Sequence, residues 1–166
     1  MLLGMSLQTF TLVHTVLSLV GIAAGLIVVW GMLTANRFEG WTAIFLVTTV
    51  LTSVTGFMFP GPFGPTPAQI FGVISLAVLV PAIAALYAFG LAGIWRWVYV
   101  GGALLALYLN VFVLVVQAFQ KISFLTPLAP TQAEMPFFVA QGIVFVLFCA
   151  LGVVAVRRFK PETAEA

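Results

Sequence analysis

Five long, mostly apolar stretches of this chain contain none of its charged side chains. The ten charged residues, six Lys or Arg and four Asp or Glu, all lie between or beyond these stretches. One charge at the middle of a bilayer costs about 3 kcal/mol or more, so this segregation predicts that the stretches cross a membrane. Each is long enough for a helix to span roughly 30 Å of hydrocarbon. They are Phe10–Leu33, Trp41–Phe59, Gln69–Ala92, Trp97–Gln120 and Pro136–Val156.

The fold class follows from the continuity of these stretches. They show no alternation of polar and apolar residues and are too long for barrel strands, so they are expected to be helices. With 63% hydrophobic and 6% charged residues, the chain differs strongly from soluble domains, in which about 25% of residues are charged. We predict an all-α polytopic membrane protein, an antiparallel bundle of five transmembrane helices. Residues 1–156 form this single domain, and residues 157–166 form a short tail.

The basic residues predict the orientation of the bundle. With five crossings, one face carries Arg37, Arg96 and the three basic residues of 157–160, whereas the other face carries only Lys121. The positive-inside rule then places the C-terminus in the cytoplasm and the N-terminus outside. The start of the chain lacks a basic segment and a cleavage site, so the first stretch is expected to stay as an anchor in a bacterial inner membrane. The cytoplasmic interface would then hold all four tryptophans, Trp30, Trp41, Trp95 and Trp97.

Few residues in this chain can carry chemistry. One His and one Cys cannot complete a tetrahedral metal site, and the predicted spans contain no acidic residue for hydrolysis or for ion-driven transport. Six scattered basic residues do not form the basic stripe of a nucleic-acid binder. We therefore expect no enzyme activity, no metal, no cofactor and no nucleic-acid partner, with a single haem on His14 as the remaining alternative.

Polar side chains concentrate near the outer end of the predicted bundle. His14 lies about four residues inside the first span, and Thr55, Gln117 and Gln141 lie at similar depths in three other spans. Asn110 precedes Gln117 by seven residues and shares its helix face. This pattern predicts an outward-facing polar cluster or shallow cavity with the ligand-binding residues His14, Thr55, Asn110, Gln117 and Gln141. The ordinary alternative is that these groups only form structural hydrogen bonds between helices.

Two glycines continue the polar face of the first span. Gly21 and Gly25 form a GxxxG pair, a pattern that lets helix backbones approach closely, so we expect them to be helix-packing residues. Thr66 and Gln69 have the spacing of a capping box and predict where the third helix begins.

Three functions remain after these exclusions. The first is a small non-catalytic subunit or scaffold of a membrane complex, which packs on a membrane-protein partner or on a second copy of itself. The second is a binder or carrier of a small lipid-like ligand, such as a quinone or lipid intermediate, at the outer polar cluster. The third is an oligomeric channel or transporter for a small solute. In each case the lipid bilayer surrounds the protein.

Overall fold

The computed structural model describes residues 4–59 and 66–160. This part of the chain is all-helical and contains no strand, so the all-α prediction is confirmed. The number of α-helices also equals the number of predicted spans, and one short 3-10 turn, Thr126–Leu128, was not predicted. The helices are α1 Leu7–Leu33, α2 Glu39–Gly56, α3 Pro67–Tyr87, α4 Trp95–Lys121 and α5 Met135–Arg158.

The start of α3 agrees with the prediction from the sequence. Thr66 Oγ1 accepts a hydrogen bond from the Gln69 amide at 3.3 Å, and Gln69 Oε1 accepts one from the Thr66 amide at 2.9 Å, which confirms the predicted capping box. The third helix ends at Tyr87 and not at Ala92 as predicted. Leu91 has a φ of 62° between two glycines that also have positive φ, and this left-handed turn cannot continue a helix.

Four of the helices are long and apolar enough to cross a membrane by length and composition: α1, α3 from Gln69, α4 and α5. Helix α2 is not among them. It has 18 residues, begins at Glu39, and carries six Thr or Ser side chains. Composition alone therefore does not assign α2 as a membrane span.

Consecutive helices pack against each other along the whole chain. Helix α2 lies between α1 and α3, and α4 lies between α3 and α5. Helix α1 also contacts α4 and α5, so α1 to α4 form a closed ring with α5 on its outer side. The helices expose many large apolar side chains on their outer surfaces.

The ring is packed tightly at one end and loosely at the other. Most residues of α1 from Gly21 to Met32 are buried, whereas none of residues 11–20 is buried. In α4 the burial is dense from Tyr99 to Leu109, and none of residues 110–118 is buried. We call residues 21–33, 39–49, 79–87 and 95–109 the packed half, and residues 7–20, 50–56, 67–78 and 110–121 the open half.

Glycines allow close helix contacts in the packed half. A Cβ atom on Gly25 would lie 2.6 Å from Leu107 Cδ1 and 2.9 Å from the Phe45 ring, and one on Gly21 would lie 3.0 Å from Thr48 Oγ1. Gly21 and Gly25 thus pack α1 against α2 and α4 of the same chain. Because both glycines are buried there, this face is not available to another protein while the bundle is closed.

Candidate ligand site

A cavity of about 410 Å³ lies in the open half, within the ring of α1 to α4. Its volume falls in the range of small-molecule sites, roughly 300–1,000 Å³. Apolar side chains such as Leu19, Phe71 and Val113 form much of its wall. Each of the four helices or its capping residue also contributes polar side chains to the lining, namely Thr11, His14, Thr15, Ser18, Thr52, Ser53, Thr66, Gln69, Ser75, Asn110, Gln117 and Lys121.

His14 is half-buried in the cavity wall and is held by α2. Its Nδ1 atom lies 2.8 Å from Thr55 Oγ1. The Thr55 hydroxyl also donates to the Leu51 carbonyl of its own helix at 2.7 Å. The Phe59 ring packs edge-on against the imidazole, with 5.0 Å between the ring centroids. Thr55 is not part of the lining, so it acts on the cavity through His14.

Polar contacts between helices form the deep end of the cavity. Asn110 Nδ2 donates to Thr49 Oγ1 over 3.4 Å, a long hydrogen bond. The hydroxyls of Ser53 and Ser75 lie 3.1 Å apart and connect α2 with α3. The packed half begins directly beyond these residues, so the cavity is closed toward that end of the bundle.

The other end of the cavity carries amide groups and one positive charge. Gln69 uses Oε1 for its capping box, which leaves its Nε2 group for the cavity. The Gln117 side chain forms no hydrogen bond with the described residues. Lys121 is exposed, and no carboxylate of the described chain pairs with it. Asn110 and Lys121 are eleven residues apart, about 16 Å along α4, so the polar lining covers about half the thickness of a bilayer's hydrocarbon.

The structure brings together most of the residues predicted for the site, but not all. His14, Asn110 and Gln117 line one cavity, and Thr55 lies directly behind His14. Gln141 does not line it. The sequence places Gln141 at a similar predicted depth, but depth does not determine which side of α4 a residue faces.

Gln141 instead lies buried between α4 and α5. Its Nε2 group donates to the Phe112 carbonyl at 3.1 Å. Its Oε1 atom is buried and has no partner among the described residues. Helix α5 packs on the outer side of α4, so Gln141 is separated from the cavity by α4 itself.

Two features of the lining are not evident from the sequence. Ser75 gives a weak signal because it is one hydroxyl in an apolar helix, although Gly72 precedes it by three residues and belongs to the same small-residue face. Lys121 lies one residue beyond the fourth predicted span, yet it is the last residue of α4 and lines the cavity. Both positions become informative only when the four helices are brought together.

The cavity lining is rich in groups that can form hydrogen bonds. The described lining offers hydroxyl, amide and imidazole groups and one cation, and its only charged member is Lys121. Within residues 4–59 and 66–160, no group of three or more His, Cys, Asp or Glu side chains could hold a metal ion. Comparisons with protein-family models, curated proteins and solved structures found no match to this chain.

Proposed function

We propose that the chain is an integral membrane protein of five crossings that binds a small lipid-like molecule in its open half. Four helices have the length and apolar composition of membrane spans. Helix α2 is the fifth crossing in this proposal. Its 18 residues extend about 27 Å, and hydroxyls such as Thr48, Ser53 and Thr55 donate to carbonyls of their own helix. These internal hydrogen bonds reduce the cost of placing a hydroxyl-rich helix in a membrane.

The proposed orientation places the packed half toward the cytoplasm of a bacterial cell. At that end Arg37 lies in the turn between α1 and α2, Arg96 lies in the first turn of α4, and α5 ends with Arg157 and Arg158. Trp30, Trp41 and Trp97 are exposed in the same region, where an indole ring suits the membrane interface. The cavity would then open in the outer leaflet, with Lys121 at the level of the lipid headgroups.

The cavity with its mixed lining is the observation on which the ligand proposal rests. Polar groups that face an unfilled space inside a bilayer are costly unless a ligand or water satisfies them. Gln117 and the Nε2 group of Gln69 have no partners among the described residues, whereas the walls around them are largely apolar. An amphiphile with a small polar head satisfies both parts of this surface. Quinones and lipid intermediates are ligands of this kind.

Other functions have less support in the geometry. A subunit that binds its partner through Gly21 and Gly25 would need a free glycine face, and α2 and α4 of the same chain cover it. A channel through the monomer would need a polar path through the packed half, where Phe45, Leu107 and Tyr99 are fully buried.

Native mass spectrometry of the protein released from mild detergent tests the proposal. We expect the wild type to retain a small molecule and to lose it in the Gln117→Ala and His14→Ala variants. The matched control is Gln120→Ala, because Gln120 lies on the same helix, is exposed, and does not line the cavity. Loss of the molecule only from the cavity variants supports the proposal. Equal retention in all variants, or an absence of any bound molecule, contradicts it.

A further inference from the structure

The hydrogen bonds of Thr55 determine which nitrogen of His14 carries the proton; its hydroxyl lies near the carbonyls of Leu51 and Thr52 and near the imidazole. Oγ1 of Thr55 lies 2.7 Å from the Leu51 carbonyl oxygen, and a carbonyl has no proton to give. The hydroxyl proton must therefore point to Leu51, because two oxygens at this distance repel each other without a proton between them. The Thr55 oxygen therefore accepts the hydrogen bond with His14, and the Nδ1 atom, 2.8 Å away, must be the donor.

A neutral imidazole with its proton on Nδ1 has a bare lone pair on Nε2. No described residue forms a hydrogen bond with Nε2, and His14 lines the cavity. The His14 side chain is partly buried, and Nε2 is not among the fully buried atoms that lack a partner, so part of its surface is accessible. Nε2 of His14 is thus a hydrogen-bond acceptor in the cavity wall, because the contact with Thr55 of α2 keeps the proton on Nδ1.

We propose that His14 selects ligands by their hydroxyl group, and that the natural ligand is a phenol- or quinol-type amphiphile. This inference rests on the proposed function and adds the chemistry of the ligand head. A ligand hydroxyl donates a hydrogen bond to Nε2. The corresponding ether or carbonyl oxygen has no proton to donate, so neither that oxygen nor Nε2 gains a hydrogen bond. Phe59 and Phe71 supply aromatic surface for such a ring, and the described lining has no carboxylate to attract a cationic head.

Thr55 is a positioning residue in this scheme. It does not line the cavity, but it determines that Nε2 is the nitrogen of His14 that accepts a hydrogen bond. Valine has nearly the same shape as threonine and lacks the oxygen, so Thr55→Val frees the imidazole to place its proton on either nitrogen. Ligand preference should then fall although no lining side chain has changed.

Two probes that differ by one methyl group on the head oxygen test the selectivity. We would titrate purified protein with 4-nonylphenol and with its methyl ether, 4-nonylanisole, at about pH 8.5, above the ordinary titration range of histidine. We expect the phenol to bind the wild type at least about tenfold more tightly than the anisole, because one good hydrogen bond accounts for a difference of this size. In Thr55→Val the ratio of the two affinities should fall toward one. The control Thr48→Val should keep the wild-type ratio, because Thr48 lies on the same helix outside the cavity.

The tautomer can be observed directly because His14 is the only histidine of the chain. In protein labelled with ¹⁵N-histidine, we expect Nδ1 to resonate as a protonated nitrogen and Nε2 as an unprotonated one. The phenol should shift the Nε2 signal more than the anisole does, and Thr55→Val should mix the two tautomers. A proton on Nε2 in the wild type overturns the inference.

The outcomes separate this inference from the function on which it rests. Equal binding of phenol and anisole to the wild type overturns hydroxyl selection and leaves the proposed lipid-like ligand standing. If neither probe binds and no molecule is retained by the purified protein, the proposed function fails and the selectivity fails with it.

Discussion

Gly102 lies so close to Ala82 that a Cβ atom on the glycine would be 2.8 Å from the alanine Cβ and 3.0 Å from the Val78 carbonyl. This contact presses α4 against α3 in the packed half. In the open half, α1 to α4 enclose a cavity, and burial falls sharply along α1 and α4. The packed half therefore supports the cavity of the open half. The packing and the cavity can be tested separately.

The Gly102→Ala substitution should destabilise the bundle without a direct effect on the cavity. The added methyl group meets backbone and a buried alanine, neither of which can rotate away, and overpacking of this kind costs about 1–3 kcal/mol. The free energy of unfolding in detergent micelles measures the effect. The neighbouring Gly101→Ala is the matched control, because no atom lies within 4 Å of its Cβ position. It should be neutral or stabilising by about 0.5–1 kcal/mol; equal destabilisation by both changes would contradict the described α3–α4 contact.

Asn110 and Gln141 should differ in their effect on ligand binding. Asn110 lines the cavity and makes only a long hydrogen bond with Thr49, so Asn110→Leu should weaken ligand retention about tenfold with a stability change below about 1 kcal/mol. Gln141→Leu should leave retention unchanged, because α4 separates this residue from the cavity. Titration of both variants with the same amphiphile checks the difference. Loss of binding in Gln141→Leu would restore Gln141 to the site and contradict the arrangement described above.

The number of crossings can be tested by labelling two turns. If α2 crosses the membrane, residues 36 and 92 lie on the same side; if α2 does not cross, they lie on opposite sides. We would introduce Asn36→Cys and Ala92→Cys separately into a Cys149→Ala background and label intact cells with a membrane-impermeant maleimide. Both positions should be protected in intact cells and labelled after permeabilisation. Labelling of one position alone in intact cells would contradict five crossings.

The same variants and one further position test the orientation. Ser123 is exposed in the connection between α4 and α5, and the proposal places it outside the cell. Ser123→Cys should react in intact cells at the rate seen in opened membranes. Labelling of residues 36 and 92 together with protection of residue 123 would show that the bundle has the opposite orientation.

Much of the fold is encoded locally, and the sequence alone therefore predicts it well. The charge-free stretches correspond to the five helices, and Thr66 with Gln69 identifies the start of α3 by its own hydrogen bonds. The third predicted span continues five residues beyond the end of α3 because the apolar sequence continues there, whereas Gly90 and Leu91 both adopt a positive φ. Local patterns predict helices well and predict the turns between them less well.

The arrangement around the bundle axis could not be read from the sequence. Predicted depth groups His14 and Gln117, which line one cavity, together with Gln141, which lies behind α4 in contact with Phe112. The spacing of Gly21 and Gly25 predicts helix packing but not the partners. These are Phe45, Thr48 and Leu107, which come from two other helices of the same chain. Neighbours of this kind are set by packing in three dimensions, and no local spacing specifies them.

Thiol reactivity along α4 tests the central claim most directly, because one helix passes through both halves. In a Cys149→Ala background we would compare Val113→Cys, in the cavity wall, with Ala106→Cys, which replaces a side chain that is 0% exposed. We predict that N-ethylmaleimide modifies position 113 readily, that a bound amphiphile slows this reaction, and that position 106 stays unreactive in the folded protein. Equal reaction at both positions, or no protection of position 113 by any bound amphiphile, would contradict an open, ligand-holding half above a packed one.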